Sequence, residues 1–339
     1  MFERLPSDDG FFDPGFNKKI SWDVPLTTGY DHMALDTIDI AREVAKVDVV
    51  WLHGWQTLKI RSVLRHANLA GVPVLMRSEN CELAMPDGHG LRGWMKRAYI
   101  RRIFDSCDAF LAIGSANRRY YLKHGVDLHA IFSMPYAIDN EAFSVTSDHT
   151  CSLSSRLIQQ LSEISKFDTQ RPVVLVAHKL IARKRTDLII DALEQNWNPE
   201  TRPNLIVVGD GHLRAELERQ APWAIFTGFI NQSELPAYYK LADVFVLPSE
   251  REPWGLAVNE AMAATTSVIV SDQVGCAEDL VDKSVGMSFQ SGNATSLATS
   301  LCLCLENRAA MGLAAAAKIE KWSFREDIEG LRQALASFR

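Results

Sequence analysis

Two glutamates in the second half of the chain have the spacing and surroundings of a ligand-binding site. Seven residues separate Glu252 from Glu260, and a Pro-Trp-Gly turn, Pro253 to Gly255, follows the first of them. The apolar runs VFVL and SVIV flank the pair, which predicts strand, acidic loop, acidic helix, strand. Open α/β sheets bind ligands at the carboxyl ends of their parallel strands. We therefore expect both carboxylates to reach a ligand there, and two ordinary surface glutamates are the alternative.

A basic cluster follows an earlier apolar run, Val173–Ala177. Its members are Lys179, Arg183, Lys184 and Arg185. The next predicted helix begins at Thr186, a candidate N-cap whose helix would add free N–H groups and a favourable dipole for an anion. The cluster can thus neutralise a diphosphate, and a solvated loop with ordinary surface charge is the alternative.

The chemistry-bearing residues share a position relative to the predicted strands. The turn Gly209-Asp210-Gly211 lacks the third glycine of a dinucleotide fingerprint, so it indicates a tight turn more than a phosphate cradle. Each of the following falls at or just after a strand's carboxyl end: Lys179, Lys184, Gly209, Gly228, Phe229, Glu252, Gly255 and Glu260. A chance surface distribution would scatter them, so they predict one site at one edge of one sheet.

The elements that must position these residues form two series. Short apolar runs alternate with amphipathic stretches, which predicts parallel sheets with crossover helices, and 339 residues suffice for two domains. The alternation stops over the polar residues 144–170 and restarts at Val173. We predict two doubly wound, Rossmann-like α/β domains facing a cleft. Their expected ranges are 1–165 and 166–322, with a terminal helix at 323–339 that packs back on the first domain.

Bulk properties exclude several classes of function. A net charge of −6 gives a nucleic-acid partner no global electrostatic support. The N-terminus has no apolar signal-peptide core, and no stretch is long enough to span a membrane, so a cytoplasmic location is expected. The six cysteines form no paired CxxC motif, so they predict reduced thiols and no metal site.

Residues 173–290 resemble the donor-binding half of a retaining glycosyltransferase of family four, which has the GT-B fold. The resemblance rests on HKLIARKRTDLIIDAL, IVVGDGHLRAELE, FTGFINQSELPAYYKLADVFVLPS, the Glu-x7-Glu motif in EPWGLAVNEAMA, and GCAEDLV. Lys179 stands where the family usually has Arg, and Cys276 replaces a glycine. The segment PYAIDNEAF before the polar stretch is a weaker match to the family.

The resemblance implies roles for individual residues. Lys179 and Lys184 would hold the donor diphosphate, Glu260 the ribose, and Glu252 the donor sugar, which makes Glu252, Lys184 and Lys179 the catalytic candidates. The other donor-binding candidates are Gly209, Gly228, Phe229, Ile230, Trp254, Gly255, Leu256, Ala257 and Glu278. Lys at position 179 keeps the charge but loses the bidentate fork of Arg.

The resemblance also implies an activity. It is the metal-independent transfer of a sugar from a UDP- or GDP-sugar to a saccharide or lipid-linked acceptor, with front-side attack and no separate cofactor. No Asp-x-Asp motif occurs to bridge a metal to the phosphate. The alternatives are a catalytically silent nucleotide-sugar-binding module or truncated fragment, or another GT-B enzyme such as a sugar-nucleotide epimerase.

The acceptor is expected in the first domain. His53, Arg77 and Glu79 each follow a predicted strand there, although a structural histidine and an ordinary Arg–Glu ion pair are the alternatives. Residues 91–104 carry five basic residues, no acid and three interleaved aromatics, so they could lie on the anionic inner face of the plasma membrane or simply pack on the sheet. The chain also lacks the strand and Gly-rich loop that open the family's first domain, which predicts a sheet short of its first strand–helix unit.

Overall fold

The contacts of the chain separate it into two units. A computed structural model describes residues 10–24, 27–144 and 148–338. Of these, residues 27–136 and 324–338 form the first unit, and residues 10–24, 137–144 and 148–323 form the second. This division differs from the expected boundary at 165/166, because residues 10–24 and the helix after residue 147 pack with the second unit. The terminal helix groups with the first unit.

Short strands and longer helices alternate along the described residues. The strands are β1 (Phe11–Asp13), β2 (Lys18–Ile20), β3 (Val50–His53), β4 (Val74–Arg77), β5 (Ala109–Ala112), β6 (Ile131–Ser133), β7 (Val173–Ala177), β8 (Asn204–Val208), β9 (Ile225–Gly228), β10 (Val244–Leu247), β11 (Ser267–Ser271) and β12 (Gly286–Phe289). The helices are α1 (Ile40–Val44), α2 (Leu58–Ala70), α3 (Gly90–Phe104), α4 (Ser115–Lys123), α5 (Asn140–Phe143), α6 (Asp148–Ser162), α7 (Thr186–Asn196), α8 (Arg214–Gln220), α9 (Leu235–Leu241), α10 (Leu256–Ala263), α11 (Ala277–Leu280), α12 (Ala294–Ile319) and α13 (Phe324–Ala336). Single 3₁₀ turns lie at Leu35–Thr37, Leu128–Ala130 and Ala182–Lys184.

The first unit is built on a parallel sheet with the order β3-β4-β5-β6. One face packs against the apolar sides of α2, α3 and α4, and the other carries Leu75 and Leu111 against Ala334 of α13. Gly330 lets α13 approach β6 closely, since a Cβ there would lie 1.8 Å from the carbonyl oxygen of Ser133. Among the described residues, this sheet begins at β3. Residues 10–24 carry the antiparallel β1–β2 hairpin and group with the second unit, and they do not form a strand–loop–helix opening.

The second unit has a parallel sheet with the order β12-β11-β10-β7-β8-β9. This is the doubly wound Rossmann order, in which the direction of winding reverses between β7 and β10. The strands are buried on both faces, as their near-continuous apolar sequences require. Helices α7 and α12 contribute the large aliphatic side chains that cover one of these faces.

Part of the polar segment expected to join the domains is helical. Helix α6 occupies Asp148–Ser162 and packs against α9, while residues 145–147 lie outside the described part of the chain. A serine-rich sequence forms this helix because its apolar residues Leu157 and Leu161 are four apart and share one buried face.

One capping prediction is wrong. Thr186 is the first residue of α7 rather than its cap; the cap position is Arg185, whose φ is +53°, and the Thr186 hydroxyl is buried without a hydrogen-bond partner among the described residues. Helix α9 begins after Glu234 and has no side-chain cap. Asn231 and Ser233, which precede this helix, instead bind residues 21 and 23. These side chains form tertiary contacts that a local capping pattern does not reveal.

Candidate active site

The winding reversal of the second unit brings the two predicted charged loops together. The loop after β7 carries Lys184, the loop after β10 carries Glu252, and the two side chains form an ion pair. Both are largely buried, with 12% and 13% of their side chains exposed. Ser249 Oγ lies 3.4 Å from the same carboxylate, and Arg183 Nη1 lies 3.7 Å from it. The strand crevice therefore contains a carboxylate surrounded by two cations and a hydroxyl.

Burial and charge act in opposite directions on Lys184. Burial lowers its pKa, since a low-dielectric environment disfavours the ammonium, and the Glu252 carboxylate raises it. Burial prevails, so the pKa of Lys184 lies below its ordinary value. An anionic ligand placed beside this ammonium would favour its charged form.

The loop that carries Glu252 is fixed by its own backbone. The Glu252 amide donates to the Gln273 carbonyl at 3.2 Å, and the Glu252 carbonyl accepts from the Gly275 amide at 2.9 Å. Gly275 must be glycine here, because a Cβ would lie 1.9 Å from the carbonyl oxygen of Pro253. The GCAEDLV segment thus holds the loop in place, and its own Glu278 is exposed.

Helix α10 is the acidic helix predicted after the acidic loop. Gly255 has a φ of +100° and redirects the chain, so that the helix starts at Leu256. The amides of Leu256 and Ala257 belong to the first turn, where a helix has no internal acceptors for its N–H groups. A donor sugar or phosphate placed there would meet these amides.

Glu260 has a different environment from Glu252. The Tyr239 hydroxyl donates a hydrogen bond to Glu260 Oε2 at 2.6 Å. Burial raises the pKa of Glu260, and the hydrogen bond from Tyr239 opposes that change only in part. A carboxylate held by one tyrosine has remaining acceptor positions for a ribose diol. Tyr239 was missed at the level of sequence, since nothing local marks it as a partner of Glu260.

The Gly209 turn serves close packing between two loops. A Cβ on Gly209, whose φ is +134°, would lie 1.9 Å from the carbonyl oxygen of His178. A Cβ on Gly211 would lie 2.4 Å from that of Leu180. The glycines therefore let the loop after β8 lie against the loop after β7, which carries Lys179 and Lys184.

His178 is a further residue of this edge that sequence reasoning missed. Burial and then the nearby Lys184 lower its pKa to about 3, so its imidazole is neutral at neutral pH. Its Nδ1 lies 3.1 Å from the Lys179 carbonyl oxygen. Its Nε2 is buried, with no hydrogen-bond partner among the described residues.

Lys179 is bound to a segment that the sequence did not connect with the site. Its ammonium lies 2.8 and 3.0 Å from the two carboxylate oxygens of Asp13, at the end of β1. Burial alone would raise the pKa of Asp13, but Lys179 and the amides of Phe16 and Gly15 outweigh it and hold the pKa below its ordinary value. Asp13 is thus an anion on the lysine predicted to hold the diphosphate. The only sequence signal is the turn motif in FFDPGF, which predicts a hairpin but not its partner.

Three other predicted donor residues have unequal positions. Phe229 is half-buried, and its ring packs against Phe16 at 5.1 Å and Trp22 at 5.9 Å between centroids. Its neighbour Ile230 is also half-buried. Trp254 was expected to contact the donor, but its indole is 3% exposed and packs on Trp322, with Nε1 donating to Asn259. The Trp254 side chain is therefore a core contact, and only its backbone lies in the turn.

The first unit places the three acceptor candidates at the ends of adjacent strands. His53 and Arg77 are the last residues of β3 and β4 and are paired in register. Arg77 forms its ion pair with Asp327 of α13, at 3.4 Å, rather than the Glu79 pair considered from the sequence. The hydroxyl of Tyr136 donates to Glu79. Burial and then Arg77 lower the pKa of His53.

Within the described ranges, no three His, Cys, Asp or Glu side chains are grouped so as to hold a metal ion. No described helix combines the length and the apolar character needed to cross a bilayer. The cysteines of these ranges form no disulfide bonds.

One family match lies within the second unit. The family of group 1 glycosyl transferases matches residues 158–321. A GDP-mannose-dependent α-(1-6)-phosphatidylinositol monomannoside mannosyltransferase of Mycolicibacterium smegmatis is 26% identical over 72% of this chain and 66% of its own length. Mannosylfructose-phosphate synthase of Agrobacterium fabrum is 29% identical over 50% of this chain and 38% of its own length. This chain thus spans less than two thirds of either relative.

The fold also matches solved structures. Anabaena HepE in complex with UDP superimposes with a TM-score of 0.73 at 19% identity, covering 89% of this chain and 82% of HepE. A sucrose-phosphate synthase of Thermosynechococcus elongatus gives a TM-score of 0.65 at 18% identity, covering 86% of this chain and 74% of the synthase. The chain therefore has the GT-B fold, and its residues 158–321 are similar to the group 1 glycosyl transferases.

Proposed function

We propose that the protein is a retaining, metal-independent hexosyltransferase that moves a sugar from a nucleotide-sugar to a saccharide or lipid-linked acceptor. The observation that carries the proposal is the Lys184–Glu252 pair at the winding reversal, inside the region similar to the group 1 glycosyl transferases. An ion pair with a purely structural role would not have to lie in the crevice at the winding reversal. A nucleotide-sugar donor would use both charges. Lys184 can bind its anionic diphosphate, and Glu252 can accept hydrogen bonds from the hydroxyl groups of its sugar.

The roles follow from the charges that develop during transfer. Cleavage of the anomeric C–O bond leaves an oxocarbenium-like sugar and a nucleoside diphosphate anion. Lys179, Lys184 and the N-terminus of α10 stabilise that anion, a preorganised electrostatic effect. Glu252 accepts hydrogen bonds from the sugar, and Glu260, held by Tyr239, accepts them from the ribose. The acceptor attacks from the side of the departing phosphate, which takes its proton, so no protein base is assigned.

The donor can be identified directly. The relatives named above as GDP-mannose-dependent and the UDP complex of HepE make GDP-mannose and UDP-glucose the first donors to test. We expect the purified protein to hydrolyse one UDP- or GDP-sugar slowly, to release the α-anomer from an α-linked donor, and to be insensitive to EDTA. Proton NMR of the released sugar reads the anomer before mutarotation. A sugar epimer without nucleoside diphosphate release would indicate an epimerase. Donor binding without any turnover would indicate a silent module.

The first unit is the proposed location of the acceptor, through His53, Arg77 and Glu79. Helix α3 of this unit exposes a large apolar surface, with Leu91, Trp94 and Met95 at 72%, 60% and 57% exposure. Arg92, Arg101 and Arg102 are exposed on the same helix. An amphipathic surface of this kind binds anionic bilayers, so we propose that α3 contacts a membrane that carries the acceptor.

Vesicle sedimentation tests this contact. We expect the protein to pellet with vesicles that contain about 30% phosphatidylserine, because the arginines supply the attraction. It should not pellet with neutral vesicles. Trp94→Glu should abolish pelleting. Leu313→Glu, at a 67% exposed apolar position of α12 in the second unit, is the matched control and should pellet normally. Equal pelleting of all proteins, or none with wild type, would remove α3 as a membrane contact.

A further inference from the structure

The N-terminal hairpin arm, residues 10–24, lies on the donor-side loops of the second unit. Its contacts extend along the whole arm. Asp13 binds Lys179, and Lys18 Nζ lies 3.7 Å from Asp210 of the Gly209 turn. Asn231 Nδ2 donates to the Ser21 carbonyl at 2.9 Å, and Ser233 donates to the Asp23 carboxylate. A segment far away along the chain is therefore held against three of the loops that carry donor-binding candidates.

Asp13 is held in place by hydrogen bonds, and the turn that follows it packs closely on Lys179. Asp13 Oδ1 accepts hydrogen bonds from the amides of Gly15 at 2.7 Å and Phe16 at 3.1 Å, which orient the carboxylate toward Lys179. A Cβ on Gly15 would lie 2.5 Å from Lys179 Cδ, so the turn of the arm lies directly on the lysine stem. The Lys179 ammonium also lies 4.9 Å from the centroid of the Phe16 ring. The Lys179 ammonium is thus already bound to an oxyanion, the Asp13 carboxylate.

The aromatic residues of the arm occupy a second surface of the same edge. Phe16 and Trp22 both pack edge-on against Phe229. Phe229 follows β9 and is one of the donor-binding candidates. A planar base placed against Phe229 would need the surface that these two rings cover. The arm thus presents an anion followed by aromatic rings, which is the order of chemical groups in a nucleoside diphosphate.

We propose that the hairpin arm is a built-in competitor of the donor, with Asp13 in the place of a donor phosphate on Lys179 and with Phe16 and Trp22 against the nucleobase surface of Phe229. The inference rests on the proposed function, because that function places the diphosphate on Lys179. The donor displaces the arm. The apparent affinity of the protein for the donor therefore falls as the fraction of molecules with a docked arm rises.

Nucleoside diphosphate binding tests the competition without any need for turnover. Isothermal titration of GDP and UDP into the full chain should show roughly 3- to 30-fold tighter binding by Asp13→Asn than by wild type, the effect of weakening one charge-assisted contact. Phe16→Ala should change affinity in the same direction. Asp36→Asn, which removes an exposed carboxylate paired with Lys59 in the first unit, is the matched control and should bind like wild type.

Hydrogen exchange supplies the structural readout. Saturating GDP or UDP should accelerate amide exchange in residues 10–24 of the wild type, and Asp13→Asn should show faster exchange there without nucleotide. Weaker or unchanged binding by Asp13→Asn, protection of the arm by nucleotide, or no binding of either nucleotide by any variant would overturn the proposal. Tighter binding by Asp13→Asn in a protein that transfers no sugar would leave the arm proposal standing and refute the proposed function. Sugar transfer by the protein, together with weaker nucleotide binding by Asp13→Asn, would leave the proposed function standing and refute the arm proposal.

Discussion

Glu252→Ala is expected to lower kcat/KM for sugar transfer by about 10²- to 10³-fold, the loss typical of one preorganised charge at the reacting centre. The protein should remain folded, because the loop is held by the backbone bonds of Glu252 to Gln273 and Gly275, which alanine retains. Removal of the carboxylate leaves Lys184 without its partner, which should cost about 1–3 kcal/mol of unfolding free energy. Initial rates with the donor found by hydrolysis, together with urea unfolding, measure both effects.

Glu250→Ala is the matched control for that variant. Glu250 lies two residues earlier in the same loop, is 50% exposed, and pairs with Arg185 instead of Lys184. Its loss should leave the rate within about twofold of wild type, since exposed ion pairs contribute little. Near-normal transfer by Glu252→Ala would sink the assignment of Glu252. Equal losses in both variants would point to a general disturbance of the loop.

Gly209→Ala is expected to destabilise the second unit by roughly 3–5 kcal/mol. Two costs combine, because the φ of +134° disfavours any residue with a Cβ and because that Cβ would lie 1.9 Å from the His178 carbonyl oxygen. This carbonyl oxygen is a backbone atom of the loop that carries Lys179 and Lys184. We therefore expect weaker nucleotide binding along with the loss of stability. Urea denaturation and GDP or UDP titration of the purified variant give the two quantities.

Gly292→Ala separates the two costs. Gly292 also has a positive φ, +78°, but its Cβ would meet only an arginine side-chain nitrogen at 3.9 Å. We expect a loss of about 1–2 kcal/mol there, the cost of the left-handed backbone alone, with normal nucleotide binding. If Gly209→Ala cost no more than Gly292→Ala, the close approach of the two loops would not be a constraint on this fold.

Local sequence patterns sufficed for the elements of the second unit. The apolar runs Val173–Ala177 and VFVL coincide with β7 and β10, because strands buried on both faces are continuous apolar runs. The start of α10 was predictable from Gly255, since the turn needs a positive φ. Helix ends were less predictable: Thr186, Asn231 and Ser233 have capping chemistry but lie in other contacts.

Contacts between distant parts of the chain could not be predicted in this way. Lys179 and Asp13 are 166 residues apart, and no periodicity connects a turn motif with a loop at that distance. Tyr239 and Glu260 lie on different helices, so their hydrogen bond depends on how α9 and α10 pack. Trp254 is in the motif that suggested ligand contact, yet its ring turns into the core because Trp322 and Asn259 offer it apolar contact and an acceptor.

The sequence by itself determined which groups stand at the carboxyl ends of the strands, Lys184 and Glu252 among them. Strand periodicity and turn chemistry are local, and they place each loop residue relative to its own strand. The tertiary structure decided which of those groups meet, because the order β12-β11-β10-β7-β8-β9 sets β7 beside β10 and so brings Lys184 to Glu252. It also decided that Lys179 is bound to Asp13, since only the packing of the hairpin arm on the second unit brings that carboxylate to it.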